Sequence, residues 1–172
     1  MQTELNKVIA ALGDFYAREG FLFEKDVGER AVTHRFAVHL EKQFSGWSVD
    51  CNYDRLGERT LHLPHGSIIS TDDHLGKSIY PDVVVHQREI PNNLLTAEIR
   101  KASNHTPLEH DQHKLRALTD VHVWFPFWIG VLLVLDKDAV TMSEVYVSGA
   151  VDNTLSRWFA TRLVEAELRA AQ

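Results

Sequence analysis

Asp82 and Glu98 lie equidistant from residue 90, in a stretch whose two halves read as the arms of a hairpin, so the carboxylates are expected to face each other across paired strands. Like charges in that position are destabilising unless a cation, a shared proton or a basic partner holds them. A divalent metal meets that need, because hard cations such as Mg2+ take carboxylate and carbonyl oxygens and water, and the carbonyl of Ile99 could add a ligand. The competing arrangement is an ion pair of Asp82 or Glu98 with Arg100 at a strand end. Three further residues carry charge where apolar residues are expected. Glu29 falls on the stripe of Val32, Phe36 and Leu40, so it either faces the core or caps the first helical turn. Asp111 and Lys114 share helical spacing with Leu115 and Leu118, which puts them on or beside a buried stripe. Lys114 could reach the carboxylates of the hairpin, or lay its stem over the sheet with the ammonium in water.

The elements that must position these groups follow from periodicity. Leu5, Val8, Ile9, Leu12, Phe15 and Tyr16 predict a helix over residues 4–19, with Gly20 as its stop. A second helix is expected over 28–44. Trp47, Val49, Cys51 and Tyr53 alternate with polar residues, the pattern of a strand with one buried face. Residues 54–78 hold Gly57, Pro64, Gly66 and Gly76 and read as loop, with a short hairpin around Leu61 and Ile68. Apolar runs at 79–86 and 94–101 form the hairpin arms; Leu94, Thr96, Glu98 and Arg100 share one face of the second, and Leu95, Ala97, Ile99 and Lys101 the other. Thr106-Pro107 predicts a helix start and Asp120 its end. A long strand is expected over 123–135, a short one over 144–148, and a last helix from Asp152. The order implies one α/β domain with a mixed central sheet flanked by helices: N-terminal helices in 1–45, a core in 46–135, and a short strand and helix in 136–172.

Composition narrows the field. The chain has 172 residues, 44% of them hydrophobic and 24% charged, an ordinary globular balance. Eighteen Lys and Arg against twenty-four Asp and Glu give a net charge of −6, which disfavours a strongly basic non-specific nucleic-acid binder or a polybasic membrane-surface protein. Cys51 is the single cysteine, and the N-terminus lacks a signal-peptide pattern, so the expected compartment is the cytoplasm. The most apolar stretch is too short for a bilayer, which takes about 20 residues, and no membrane association is expected.

Pro81-Asp82, Glu98-Ile99-Arg100, the upstream helical Glu29 and the following Asp111-Gln112-His113-Lys114-Leu115 together resemble the PD-(D/E)xK phosphodiesterase superfamily, with its restriction-endonuclease-like fold. The resemblance runs from about Glu29 to Thr119, plus the strand containing Gly130. It implies hydrolysis of a nucleic-acid phosphodiester, DNA foremost, by metal-activated water. Asp82 and Glu98 would hold one or two Mg2+ ions, with Mn2+ a substitute and Glu29 assisting directly or through water. In the family a lysine two positions after the glutamate orients the water; here that position is Arg100, whose guanidinium can stabilise phosphate but not act as a base. Lys101 points to the opposite face unless a bulge at Ile99 or Arg100 shifts the register. Arg100 with Lys114 is therefore the preferred pair, Asp111 supports them, and Lys101, His105 and His113 are candidate nucleic-acid contacts. The substitution could equally record lost catalysis, leaving an inactive scaffold that binds nucleic acid or a protein partner.

Other chemistries are less well supported. His110-Asp111 invites comparison with His-Asp phosphohydrolases, but those need an all-helical bundle. His34 and His39 are spaced poorly for shared ligation, and His62-x-x-His65 lacks further zinc ligands. No Gly-x-Ser-x-Gly elbow or phosphate-binding glycine loop occurs. The segment Trp124-Phe125-Pro126-Phe127-Trp128 and the last helix could be a homodimer interface or simply core.

Overall fold

Helix α1 (Gln2–Glu19) forms as its periodicity predicts, burying Leu5, Val8, Leu12, Phe15 and Tyr16 along one stripe. The computed structural model describes residues 1–53, 55–56, 59–60, 80–123 and 126–166. Gly20 does not reverse the chain: at φ −52° it stays right-handed and leads into the one-turn helix α2 (Phe21–Glu24). Helix α3 (Glu29–Gln43) packs on α1 through Val32, Phe36 and Leu40, with Phe15 edge-on to Phe36 at 6.1 Å.

Strand β1 (Ser48–Cys51) turns Trp47, Val49 and Cys51 toward the core. Tyr53 departs from that alternation: Asn52, at φ 50°, breaks the strand, and Tyr53 packs against the opposite sheet face beside Val84. Strands β2 (Arg55–Leu56) and β3 (Arg59–Thr60) form a minimal ladder of their own. The expected hairpin at Leu61 and Ile68, and the pair His62 and His65, lie outside the described residues.

The central hairpin is β4 (Val83–Gln87) and β5 (Asn92–Lys101), antiparallel with Val83 opposite Ala97 and Val85 opposite Leu95, the register the sequence implies. Its irregularity is a bulge at Val85/His86, away from Ile99 and Arg100, whose pairing with the next strand is continuous. Helix α4 (Glu109–Thr119) begins later than expected. Its N-cap position is Leu108, and Thr106 instead accepts hydrogen bonds from Arg100. From α4 the chain enters β6 (Ile129–Leu135), parallel to β5. This strand is shorter than expected because the chain before it serves the helix: the Phe127 N–H donates to Leu118 O at 2.8 Å, and Pro126 has no N–H for a ladder.

Strand β7 (Val140–Val147) is longer than expected and continues through Ser148-Gly149 into β8 (Ala150–Val151). Both turn residues have positive φ, 52° and 80°, the two-residue turn whose twist matches paired strands. Helix α5 (Asn153–Glu165) is capped by Asp152, whose Oδ1 accepts the N–H groups of Thr154 and Leu155 at 3.0 and 2.9 Å.

The six-stranded mixed sheet runs β1-β4-β5-β6-β7-β8. Residues of α1, α3 and α5 join the main core on one face, while Leu115 and Leu118 of α4 pack on the other. Among the described residues no helix is long and apolar enough to cross a membrane. Of the apolar segment before β6, Phe127 is buried and Trp128 is 65% exposed; Trp124 and Phe125 lie outside the described residues.

At Gly130 α4 comes close to the sheet. A Cβ there would meet Thr119 Cγ2 at 3.0 Å, Tyr146 Cβ at 3.1 Å and Leu115 Cδ2 at 3.2 Å. Gly130→Ala is therefore expected to lower stability by about 1–3 kcal/mol through overpacking. Urea unfolding checks this, and an unchanged midpoint would show that α4 can yield at no cost.

A second stability effect sits between α1 and α3. Glu19, 6% exposed, accepts from Arg35 Nε at 3.0 Å and lies 3.1 Å from His39 Nε2. The Arg35 hydrogen bond, helped by His39 and opposed by burial, holds the Glu19 carboxyl below its ordinary 4.5. Since the folded value is depressed, this stabilisation is complete above the ordinary value and fades as pH falls through the folded one. Wild type is expected to lose stability between neutral pH and pH values below 4.5 faster than Glu19→Gln does. Parallel slopes in a pH series of urea melts would contradict it.

Candidate active site

On β5 the side chains of Thr96, Glu98 and Arg100 point toward α4, while Leu95, Ala97 and Ile99 enter the main core; Leu94, expected on the Glu98 face, also joins that core, because the bulge at Val85/His86 breaks the alternation beside it. Glu98 is 1% exposed, and its Oε2 accepts a hydrogen bond from Lys114 Nζ of α4. Its Oε1 is buried with no hydrogen-bond partner among the described residues. Across the hairpin, Asp82 stands one residue before β4. There its Oδ2 accepts the Ile99 N–H at 2.9 Å, capping the end of the ladder.

Burial pushes the Glu98 carboxyl well above the usual range, and the neighbouring Asp82 adds to the shift while Lys114 opposes it. Asp82 is raised in the same way, first by burial and further by Asp111 and Glu29, against the pull of Lys114 and the Ile99 N–H. Burial alone disfavours the Lys114 ammonium, but Glu98 and Asp82 more than offset it and its pKa is raised. Lys114 therefore offsets the burial of the two carboxyls only in part.

Lys114 has two more contacts, Tyr80 O at 3.4 Å and Asp111 Oδ1 at 4.0 Å. Arg100 pairs with neither Asp82 nor Glu98. Its Nη2 lies 2.5 Å from Asp111 Oδ2, and its Nη1 donates to Thr106 O at 2.5 Å and Thr106 Oγ1 at 2.7 Å. The planar fork therefore ties β5 to the loop before α4 and to the helix itself.

Glu29 opens α3 and reaches the end of β5, where Oε2 accepts the Lys101 N–H at 2.8 Å and the Asn104 side-chain amide at 3.1 Å. It faces neither the core nor its own first turn, yet its charge is felt at Asp82. Ile99 contributes its N–H to the site. Lys101 sits on the other face, 8% exposed, with Nζ donating to Asp26 Oδ1 at 2.5 Å and Val27 O at 2.8 Å. His105 is exposed and His113 half-buried, both flanking the α4 entrance. Cys51 is half-buried against the core, and burial pushes its thiol up, so it is a poor nucleophile.

A second polar group on this sheet face escaped the sequence reading. His86 Nε2 lies 2.8 Å from Asp50 Oδ2, Arg88 Nε donates to the same oxygen at 2.9 Å, and the Tyr53 ring stacks obliquely on His86 at 4.6 Å. The signal was available, because His86 is two residues after Val84 on β4 and so alternates with the core residues Val83 and Val85, and Asp50 alternates with the core residues of β1.

Among the described residues no cluster of three or more His, Cys, Asp or Glu side chains converges on one metal position. Two carboxylates do suit Mg2+, which is commonly held by one or two of them with water and substrate phosphate oxygens completing the shell. The orphaned Glu98 Oε1 is an acceptor that such a cation would satisfy. No family model and no curated protein matches the chain.

Proposed function

We propose that the chain is a divalent-cation-dependent phosphodiesterase of nucleic acid, DNA foremost, with a restriction-endonuclease-like fold. The observation that carries this reading is the buried Glu98 carboxyl, with one oxygen unpartnered and Asp82 beside it. The fold proposal rests on the succession α3, three antiparallel strands β1-β4-β5, α4 and the parallel strand β6, with the carboxylates at the open end of β4 and β5.

Asp82 and Glu98 hold the cation, Mg2+ or Mn2+. When bound, it supplies an activated water and neutralises charge on the phosphate. The Ile99 N–H fixes the Asp82 carboxylate, and Glu29 adds negative charge through its seat on the Lys101 N–H. Lys114 offers the ammonium that the phosphate's developing charge needs, from the helix rather than from the strand position two after Glu98. Arg100 is a positioning residue, holding Asp111 and so the first turns of α4. His105, exposed, and His113, half-buried, would contact the nucleic-acid backbone. With a net charge of −6, affinity for DNA is weak without the cation and falls steeply with salt.

A second reading, an inactive scaffold that binds nucleic acid or a protein partner, is favoured by one observation: Arg100, in the family's lysine position, is turned away from Glu98 and committed to Asp111. Cleavage of duplex and single-stranded DNA and RNA with Mg2+ or with EDTA separates the two. Lys114→Met is expected to reduce Mg2+-dependent cleavage by about 10²-fold or more, and Arg100→Lys by less than about tenfold. Absence of cleavage in wild type supports the scaffold; the reverse ranking of the variants moves the catalytic charge to Arg100.

A further inference from the structure

The Lys114 ammonium is bonded to the one carboxylate that a cation most needs. It lies between Glu98, Asp111 Oδ1 and Tyr80 O, in a site where Glu98 keeps only one oxygen unpartnered. Glu98 and Lys114 are 1% and 8% exposed, so water does little to screen either. Asp111 is shared unequally: Arg100 occupies Oδ2 at 2.5 Å, whereas Oδ1 is 4.0 Å from Lys114. Asp111 is also three residues before Lys114 on α4, a spacing at which the two side chains readily pair. A short swing therefore takes the ammonium from Glu98 to Asp111 Oδ1 without leaving it unpaired.

We propose that Lys114 is an internal occupant of the cation site, holding Glu98 in the metal-free protein and moving to Asp111 when a divalent ion binds. Metal uptake is then a competition between the ion and a side chain of the same chain. In the metal-free protein the lysine offsets the Glu98 charge in part, and a substrate phosphate that gives the displaced ammonium a new partner favours the ion. This rests on the metal reading above, which assigns Glu98 to the cation.

Mn2+ alone is the probe, with free ion measured by electron paramagnetic resonance in titrations of wild type, Lys114→Met and Lys114→Gln; the second variant guards against misfolding of the first, and circular dichroism checks both. The expected result is that removing the ammonium tightens Mn2+ binding by about tenfold or more, because a unit positive charge a few ångströms from a divalent ion opposes it strongly in a half-dry site. Equal affinity in wild type and the folded variants overturns the competition and leaves the metal site standing. Weaker binding in the variants also overturns it, making Lys114 an organiser of the site. No binding in any of them removes the metal reading itself, and this proposal with it.

Discussion

Glu98→Gln is expected to lose Mn2+-dependent cleavage by at least about 10³-fold, while keeping its fold. The glutamine amide has the shape of the carboxylate and still offers an oxygen to Lys114, but it has no charge for a cation. In wild type a hundredfold excess of Mn2+ over its dissociation constant should add about 2.7 kcal/mol of stability. For a chain of this size that is a rise in Tm of about 5–10 °C. The gain should vanish in Glu98→Gln and in Asp82→Asn if, as proposed, the two carboxylates hold one ion. A thermal melt with and without Mn2+ reads this without knowledge of the substrate. A variant that shifts as wild type does would place the ion elsewhere.

The largest effect on stability is expected at Arg100. Arg100→Met leaves Asp111, 8% exposed, facing an apolar chain, and unties the exposed Thr106 from β5. Breaking a buried pair in this way costs about 3–5 kcal/mol; the Lys114 ammonium, 4.0 Å from Asp111, holds the cost to the lower end. Arg100→Lys keeps the charge but cannot reach Thr106 and Asp111 together, and is expected to cost about 1–2 kcal/mol. Equilibrium unfolding in urea measures both. If Arg100→Met were as stable as wild type, Arg100 could not be the tether of α4, and its fork would be available to the phosphate.

The hairpin register at Val83–Val85 was legible because alternation assigns the side chains there and from Leu95 onward to a face, and a one-residue slip would have buried Glu98 in the main core; Leu94, across the bulge, joins the core against that alternation. Glu29 was legible as an anomaly, a charge on an apolar stripe, but not as the acceptor of the Lys101 N–H seventy-two residues away. The choice between Arg100 and Lys114 as the partner of Glu98 was open for a related reason. Both side chains are long and can reach several carboxylates, so burial and the path of the loop after β5 decide between them. The later start of α4 has the same origin, since Thr106 is drawn to Arg100 instead of capping the helix. Local signals failed at β6, where an apolar run suggested a strand but Phe127 bonds to the end of α4. They also failed at Tyr53, where Asn52 takes a left-handed conformation and turns the ring to the other face. The start of the last helix at Asp152 was legible because the cap that fixes it needs only neighbours in sequence.

Anomalous diffraction from crystals of the wild-type protein soaked in Mn2+ asks directly whether a cation occupies the site. The expected result is a peak about 2.1 Å from carboxylate oxygens of both Asp82 and Glu98, with the Lys114 ammonium withdrawn from Glu98 toward Asp111. A map at saturating Mn2+ with no peak between those two carboxylates, and Lys114 still bonded to Glu98, would contradict it and leave the chain a scaffold whose buried charges serve only to hold α4 on its sheet.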